Sequence, residues 1–131
     1  MPAASKAAAP GSGRARVLVL LLATACAHGR AGPAPGAERG LASYQGRERE
    51  GKRTASGRPY RAAEMSCAHR TEPFGALLEV VDEDTGRSVV VEVIDRGPFV
   101  EGRIVDLSLA AAQALGIVGR GLARVRVRRI R

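Results

Sequence analysis

The chain has 131 residues, with 21 Lys+Arg against 13 Asp+Glu and a formal net charge of +8. That length suits one small domain with extensions. The basic excess fits an anionic surface or polymer, but 3% aromatic residues and no Trp leave no stacking platform for nucleic acid, which is not expected as a partner. With so few aromatics the core must come from Val, Leu, Ile and Ala.

The N-terminus does not read as fold. Lys6, Arg14 and Arg16 form a basic region, Val17 to Ala23 is a short apolar run, and small residues lead to Cys26. This pattern predicts a secretory signal over residues 1–25, too short to remain as a comfortable bilayer span. The run Ala23-Thr24-Ala25-Cys26 is similar to a bacterial lipoprotein box, although Ala23 stands where Leu is usual. The implied product is lipidated on Cys26 and held at a membrane of the bacterial envelope, the periplasmic face of the outer membrane being the expected site. An ordinary signal peptide with a chance Cys is the alternative. Losing Lys6, Arg14 and Arg16 lowers the net charge from +8 to +5. Only Cys26 and Cys67 exist, so lipidation of the first leaves the second unpaired.

Residues 26–40 are rich in Gly, Ala and Pro and read as a flexible tether. The folded part is expected over 41–131, with Leu41 to Tyr44 as a first strand. Arg47 to Gly57 is charged and reads as loop. Ser66 to His69 is a short strand, Pro73-Phe74-Gly75 a turn, and Ala76 to Val81 a strand. Asp82 to Gly86 has the chemistry of a hairpin turn, with Ser88 to Ile94 returning as the partner. The run Val89-Val90-Val91 with Val93 and Ile94 favours a buried pleated strand. It stops at Asp95-Arg96-Gly97-Pro98, and Arg103 to Leu107 follows as another strand. Ser108 is a candidate N-cap for a helix over Leu109 to Leu115, closed by Gly116. The chain finishes in alternation, with Ala123, Val125 and Val127 against Arg124, Arg126 and Arg128. Short strands with one or two short helices in this length predict a mainly β, six-stranded closed barrel.

Asp95 and Asp106 each fall at or near a strand end. They can fix turns through backbone N–H groups or face a groove. Cys67 and His69 share a face of their strand. A thiol–imidazole pair is one reading and a small buried residue at position 67 the other. With His28 and His69 the only histidines, no zinc cluster is expected, and no glycine-rich phosphate loop occurs. No metal and no cofactor are expected, and the protein is read as a monomer.

Several short motifs stand in order: Gly40-Leu41-Ala42-Ser43-Tyr44, Thr54-Ala55-Ser56-Gly57, Ala68-His69-Arg70-Thr71, Asp95-Arg96-Gly97-Pro98-Phe99 and Gly102 to Ser108. Together they resemble the rare lipoprotein A (RlpA) family, from about Arg39 to the C-terminus. The resemblance implies a double-psi β-barrel related to expansins. It implies an endolytic lytic transglycosylase acting on peptidoglycan glycan strands, cutting the β-1,4 bond after N-acetylmuramic acid and leaving a 1,6-anhydro end. Carried over residue by residue, it implies Asp95 and His69 as catalytic, with Tyr44, Thr54, Arg96 and Asp106 binding substrate. Many relatives also carry a C-terminal glycan-binding SPOR domain, which the sequence after the last strand does not suggest. The chain departs from the family pattern in one wall. Arg58 and Arg61 stand where Glu and Asp are usual, and Gln45 and Arg49 where aromatics are usual. Guanidinium cannot serve as a general acid, so Asp95 with His69, or Glu64 from nearby, would have to suffice. A barrel that binds glycan or a partner without cleaving it is the alternative, and a secreted thiol protein using Cys67 a third reading.

Overall fold

The computed structural model describes residues 36–131. The signal segment, the lipobox at Cys26 and residues 26–35 of the tether lie outside the described residues. Six strands form: β1 (Glu38–Tyr44), β2 (Ser66–His69), β3 (Leu77–Asp82), β4 (Ser88–Asp95), β5 (Arg103–Leu107) and β6 (Ala123–Arg129). One α-helix, α1 (Leu109–Leu115), and a 3-10 turn at Arg47–Arg49 complete the elements. β1 begins at Glu38, earlier than the apolar pattern indicated, because Glu38, Arg39 and Gly40 pair with β6 residues Val127, Arg126 and Val125. Glu38, Arg39 and Gly40 bring no apolar side chain to the strand, so the extension carried no periodic signal.

The strands close into a barrel in the order β1-β5-β2-β4-β3-β6. The pairs β1/β5 and β2/β4 are parallel and the other four are antiparallel. Closure leaves no free edge to template association. Leu78, Val80, Val91, Val93, Val105 and Val125 fill the interior, each fully buried. Inward Ala123, Val125 and Val127 alternate on β6 with outward arginines, as the sequence pattern indicated.

α1 runs where its caps place it. Ser108 Oγ accepts from the Ala111 amide at 3.3 Å. Gly116 ends the helix at φ 78°, a left-handed conformation that disfavours a side chain. Ala111, Ala112 and Leu115 seal one end of the core.

Both parallel pairs contain an irregularity. Between β2 and β4 the register steps from Cys67↔Val93 to Ala68↔Asp95, skipping Ile94. Between β1 and β5 it steps from Leu41↔Arg103 to Ala42↔Val105, skipping Ile104. An extra residue in one strand reverses which side the following residues face. Asp95 would share the inward parity of Val91 and Val93 without the bulge, and with it faces outward. Gly40 sits against the second bulge, where a Cβ would lie 2.6 Å from Ile104 Cγ2.

Candidate functional site

The two bulges align a row of residues on one outer side of the barrel. Ser43 pairs with Asp106, Asp106 with Ala68, and Ala68 with Asp95. Asp95 and Asp106 therefore flank Ala68 from opposite sides, two strand spacings or about 10 Å apart at the backbone. The small side chain of Ala68 leaves a narrow cleft between them. Its lining includes Gln45, Thr54, Tyr60, Cys67, Asp95 and Asp106.

The two carboxylates are held differently. Asp95 Oδ1 accepts from the amides of Ala55 at 3.0 Å and Arg96 at 2.8 Å. Its Oδ2 has no hydrogen-bond donor among the described residues, and the side chain is partly exposed. Asp106 is held at both oxygens, by Ser43 Oγ and by Gln45 Nε2, each at 3.0 Å. One carboxylate of the cleft lining thus keeps an oxygen without a donor among the described residues, and the other is fixed at both oxygens.

His69 lies outside this lining. It follows Ala68 on β2 and faces the other way, and it is 4% exposed. Its Nδ1 accepts from the amides of Thr71 at 3.1 Å and Glu72 at 3.0 Å. Two N–H donors into one ring nitrogen require that nitrogen to be bare, so the proton sits on Nε2 and is donated to Glu38 Oε2 at 3.1 Å. The turn so fixed presents the carbonyls of His69 and Glu72 to Arg96 Nη1, at 3.2 and 2.8 Å. Arg96 also lies over the Phe74 ring, 3.9 Å from its centroid. His69 therefore reaches Asp95 through the turn and its neighbour Arg96, with no side-chain contact to it.

Thr54 is buried in the cleft wall, its hydroxyl donating to the Arg58 carbonyl at 2.6 Å. Tyr44 lines a separate, shallower depression with Ser43, Arg103 and Leu122, and its hydroxyl donates to the Val118 carbonyl at 3.0 Å. Of the residues named from sequence, the cleft thus gathers Thr54, Asp95 and Asp106, while Tyr44, His69 and Arg96 stand around it. Cys67 packs in the core and its thiol is pushed well above its ordinary value by burial first, then by the charges of Asp106 and Glu92. A thiol so held is not a nucleophile. Among the described residues no group of three or more His, Cys, Asp or Glu is placed to hold a metal ion.

Tyr60 was not singled out in the sequence and is central here. It is 3% exposed, and its hydroxyl donates to the Gln45 carbonyl and accepts from the Leu109 amide, both at 3.0 Å. It thereby joins the loop wall to the start of α1, and burial raises its phenol above the ordinary value. A lone aromatic in a charged stretch gives no sign of such a contact. The two arginines of this wall are ion-paired: Arg58 with Glu92 and with Glu64, Arg61 with Glu50 at 3.5 Å.

Residues 37–127 match the family described as lytic transglycolase, DPBB_1. The chain is 50% identical over 84 residues to a protein of Aquifex aeolicus named probable endolytic peptidoglycan transglycosylase RlpA, covering 64% of this chain and 37% of that one. It is 46% identical over 90 residues to the Vibrio cholerae endolytic peptidoglycan transglycosylase RlpA, covering 69% of this chain and 34% of that one. The chain thus spans only about a third of the length of these relatives. Among solved structures, the Streptomyces papain inhibitor superposes with a TM-score of 0.61 at 25% identity, over 76% of this chain and 98% of that one. The closed six-stranded barrel, its two parallel pairs and these matches together put the chain in the lytic transglycolase family, as an RlpA-like double-psi β-barrel.

Proposed function

We propose that the protein is an endolytic peptidoglycan lytic transglycosylase that cleaves the β-1,4 bond between N-acetylmuramic acid and N-acetylglucosamine. The observation that carries this reading is Asp95, a lining residue of the cleft pinned through Oδ1 by two backbone amides, with Oδ2 left without a donor among the described residues. The protonated carboxyl donates its proton to the glycosidic oxygen as the C1–O bond breaks. The carboxylate so formed takes the proton of the muramic 6-hydroxyl while O6 bonds to C1. The product is a 1,6-anhydro end, water is not consumed, and Asp95 regains its starting protonation. Asp106, with Ser43 and Gln45, forms the wall that orients the strand. His69 assists by fixing the turn that holds Arg96, and Tyr44, Thr54 and Arg96 shape the glycan path.

The protein is further proposed to act as a monomer anchored by lipid on Cys26 at the bacterial envelope, on the periplasmic face of the outer membrane. Palmitate labelling lost in Cys26→Ser tests the anchor.

A second reading is kept because Arg58 and Arg61 replace carboxylates in one wall and are engaged in ion pairs. On that reading the barrel binds glycan without cutting it. Digestion of purified sacculi with the full-length protein in detergent separates the two. Anhydro-muropeptides by mass spectrometry, absent with Asp95→Asn, support the enzyme. Co-sedimentation with sacculi and no product supports the binder.

A further inference from the structure

The loop from Thr54 to Arg58 supplies one of the two amides that hold Asp95. It closes on itself, Thr54 N and Oγ1 donating to the Arg58 carbonyl at 2.9 and 2.6 Å, with Gly57 N returning to the Thr54 carbonyl at 2.9 Å. Gly57 has φ 88°, which the tight closure requires. The closed loop then docks on the end of β4. Ser56 N donates to the Ile94 carbonyl at 3.1 Å and Ala55 N to Asp95 Oδ1 at 3.0 Å.

At the loop's exit the Arg58 guanidinium hydrogen-bonds Glu92 of β4 through Nη1, and Nη2 lies 3.5 Å from Glu64. The loop is thus tied to β4 at positions 92, 94 and 95, and the first tie is made only by charged side chains. Position 58 is also where the resembled family has Glu. In this chain a Glu there would face Glu92 and Glu64 and repel both. In this chain Arg58 is thus matched to Glu92.

We propose that Arg58 and Glu92 form a positioning pair that clamps the 54–58 loop on β4 and so holds the Ala55 amide on Asp95. The proposal rests on Asp95 being the proton carrier, and it assigns both residues a role through Asp95, with no contact to the reacting atoms. It makes an inverted forecast: restoring the usual Glu at position 58 impairs the site, and reversing Glu92 as well repairs it.

The test uses full-length Arg58→Glu, Glu92→Arg and the double variant. Two assays are run: steady-state kinetics (kcat and KM) of anhydro-end formation on soluble glycan strands, and hydrogen exchange of the Ala55 amide by NMR, with the Val91 amide as a core reference. Each single variant is expected to lower kcat about two- to fivefold, the size of a half-exposed ion pair, with KM little changed. Ala55 exchange accelerates by a similar factor while Val91 does not. The double variant recovers most of both readouts, short of the parent because the carboxylate at position 58 still faces Glu64. The proposal is overturned if Arg58→Glu matches or exceeds the parent, if Ala55 exchange does not move, or if the double variant is no better than the singles. Should the parent itself form no anhydro ends, the catalytic reading falls, and the Ala55 exchange in the three variants still decides the clamp.

Discussion

At the residue scale the site rests on an asymmetry between two aspartates of the same row. Asp106 has both oxygens occupied by side chains, and Asp95 has one occupied by amides. Asp95→Asn should reduce anhydro-end formation by about a hundredfold or more, the usual size of a lost general acid–base, with the fold intact by circular dichroism. His69 gives a sharper distinction. An Asn side-chain oxygen at this position can accept the Thr71 and Glu72 amides as Nδ1 does. Holding the turn is a positioning role, so His69→Asn should retain well over half the activity that His69→Ala loses. Equal loss in the two variants would instead mean that the imidazole carries a proton. Cys67 should not react with a water-soluble disulfide reagent until the protein unfolds, because burial keeps it as the thiol. Labelling at the rate of a free thiol in the native protein would contradict its place in the core.

At the element scale the bulges at Ile94 and Ile104 decide what the strands present. The strands and α1 were legible because Val89 to Ile94 reads as a pleated run and because Ser108 and Gly116 carry their capping chemistry in their identities. The bulges were not. Val93-Ile94 and Ile104-Val105 are each two apolar residues in succession, and such a pair can equally mean a strand buried on both faces. Only the partner register shows that one of each pair is extra. The candidate carboxylates could therefore be named from sequence, but the side they face could not. The His69–Glu38 contact was equally hidden, since it joins residues 31 positions apart and Glu38 read as tether. Gly40 supports the second bulge, and Gly40→Ala forces a Cβ into Ile104. It should cost about 1–3 kcal/mol in chemical denaturation, the usual range for overpacking. An unchanged midpoint would show that Ile104 can move aside.

At the scale of the whole molecule, the strand ladders close the barrel, and a side-chain contact further ties the α1–β6 connection to the β3–β4 hairpin. Arg120 makes that tie by hydrogen-bonding Asp82, which is fully buried, with Asp84 3.4 Å from a second guanidinium nitrogen. Burial alone would raise the Asp82 carboxyl. The Arg120 hydrogen bond, the Asp84 amide and the Arg120 charge outweigh it and hold the group below its ordinary 3.8. A carboxyl lowered in the folded state contributes stability that is present above the unfolded pKa and is lost as pH falls through the folded one. Arg120→Leu should therefore destabilise the barrel by about 1–2 kcal/mol at neutral pH, discounted for the partial exposure of Arg120. The difference should shrink as pH falls through the carboxylate range, because Asp82 of the variant, without Arg120, takes up its proton before that of the parent. A constant difference across that range in urea titrations would assign the loss to packing alone.

The central claim is that this barrel, with arginines in place of two wall carboxylates, still performs an intramolecular transglycosylation through Asp95. The most direct measurement is digestion of sacculi in oxygen-18-labelled water with the full-length protein, followed by mass spectrometry of the released glycan ends. The account predicts anhydro-muramic ends without label, and their disappearance in Asp95→Asn. Labelled reducing ends would identify a hydrolase, and unlabelled anhydro ends that persist in Asp95→Asn would move the chemistry to another residue.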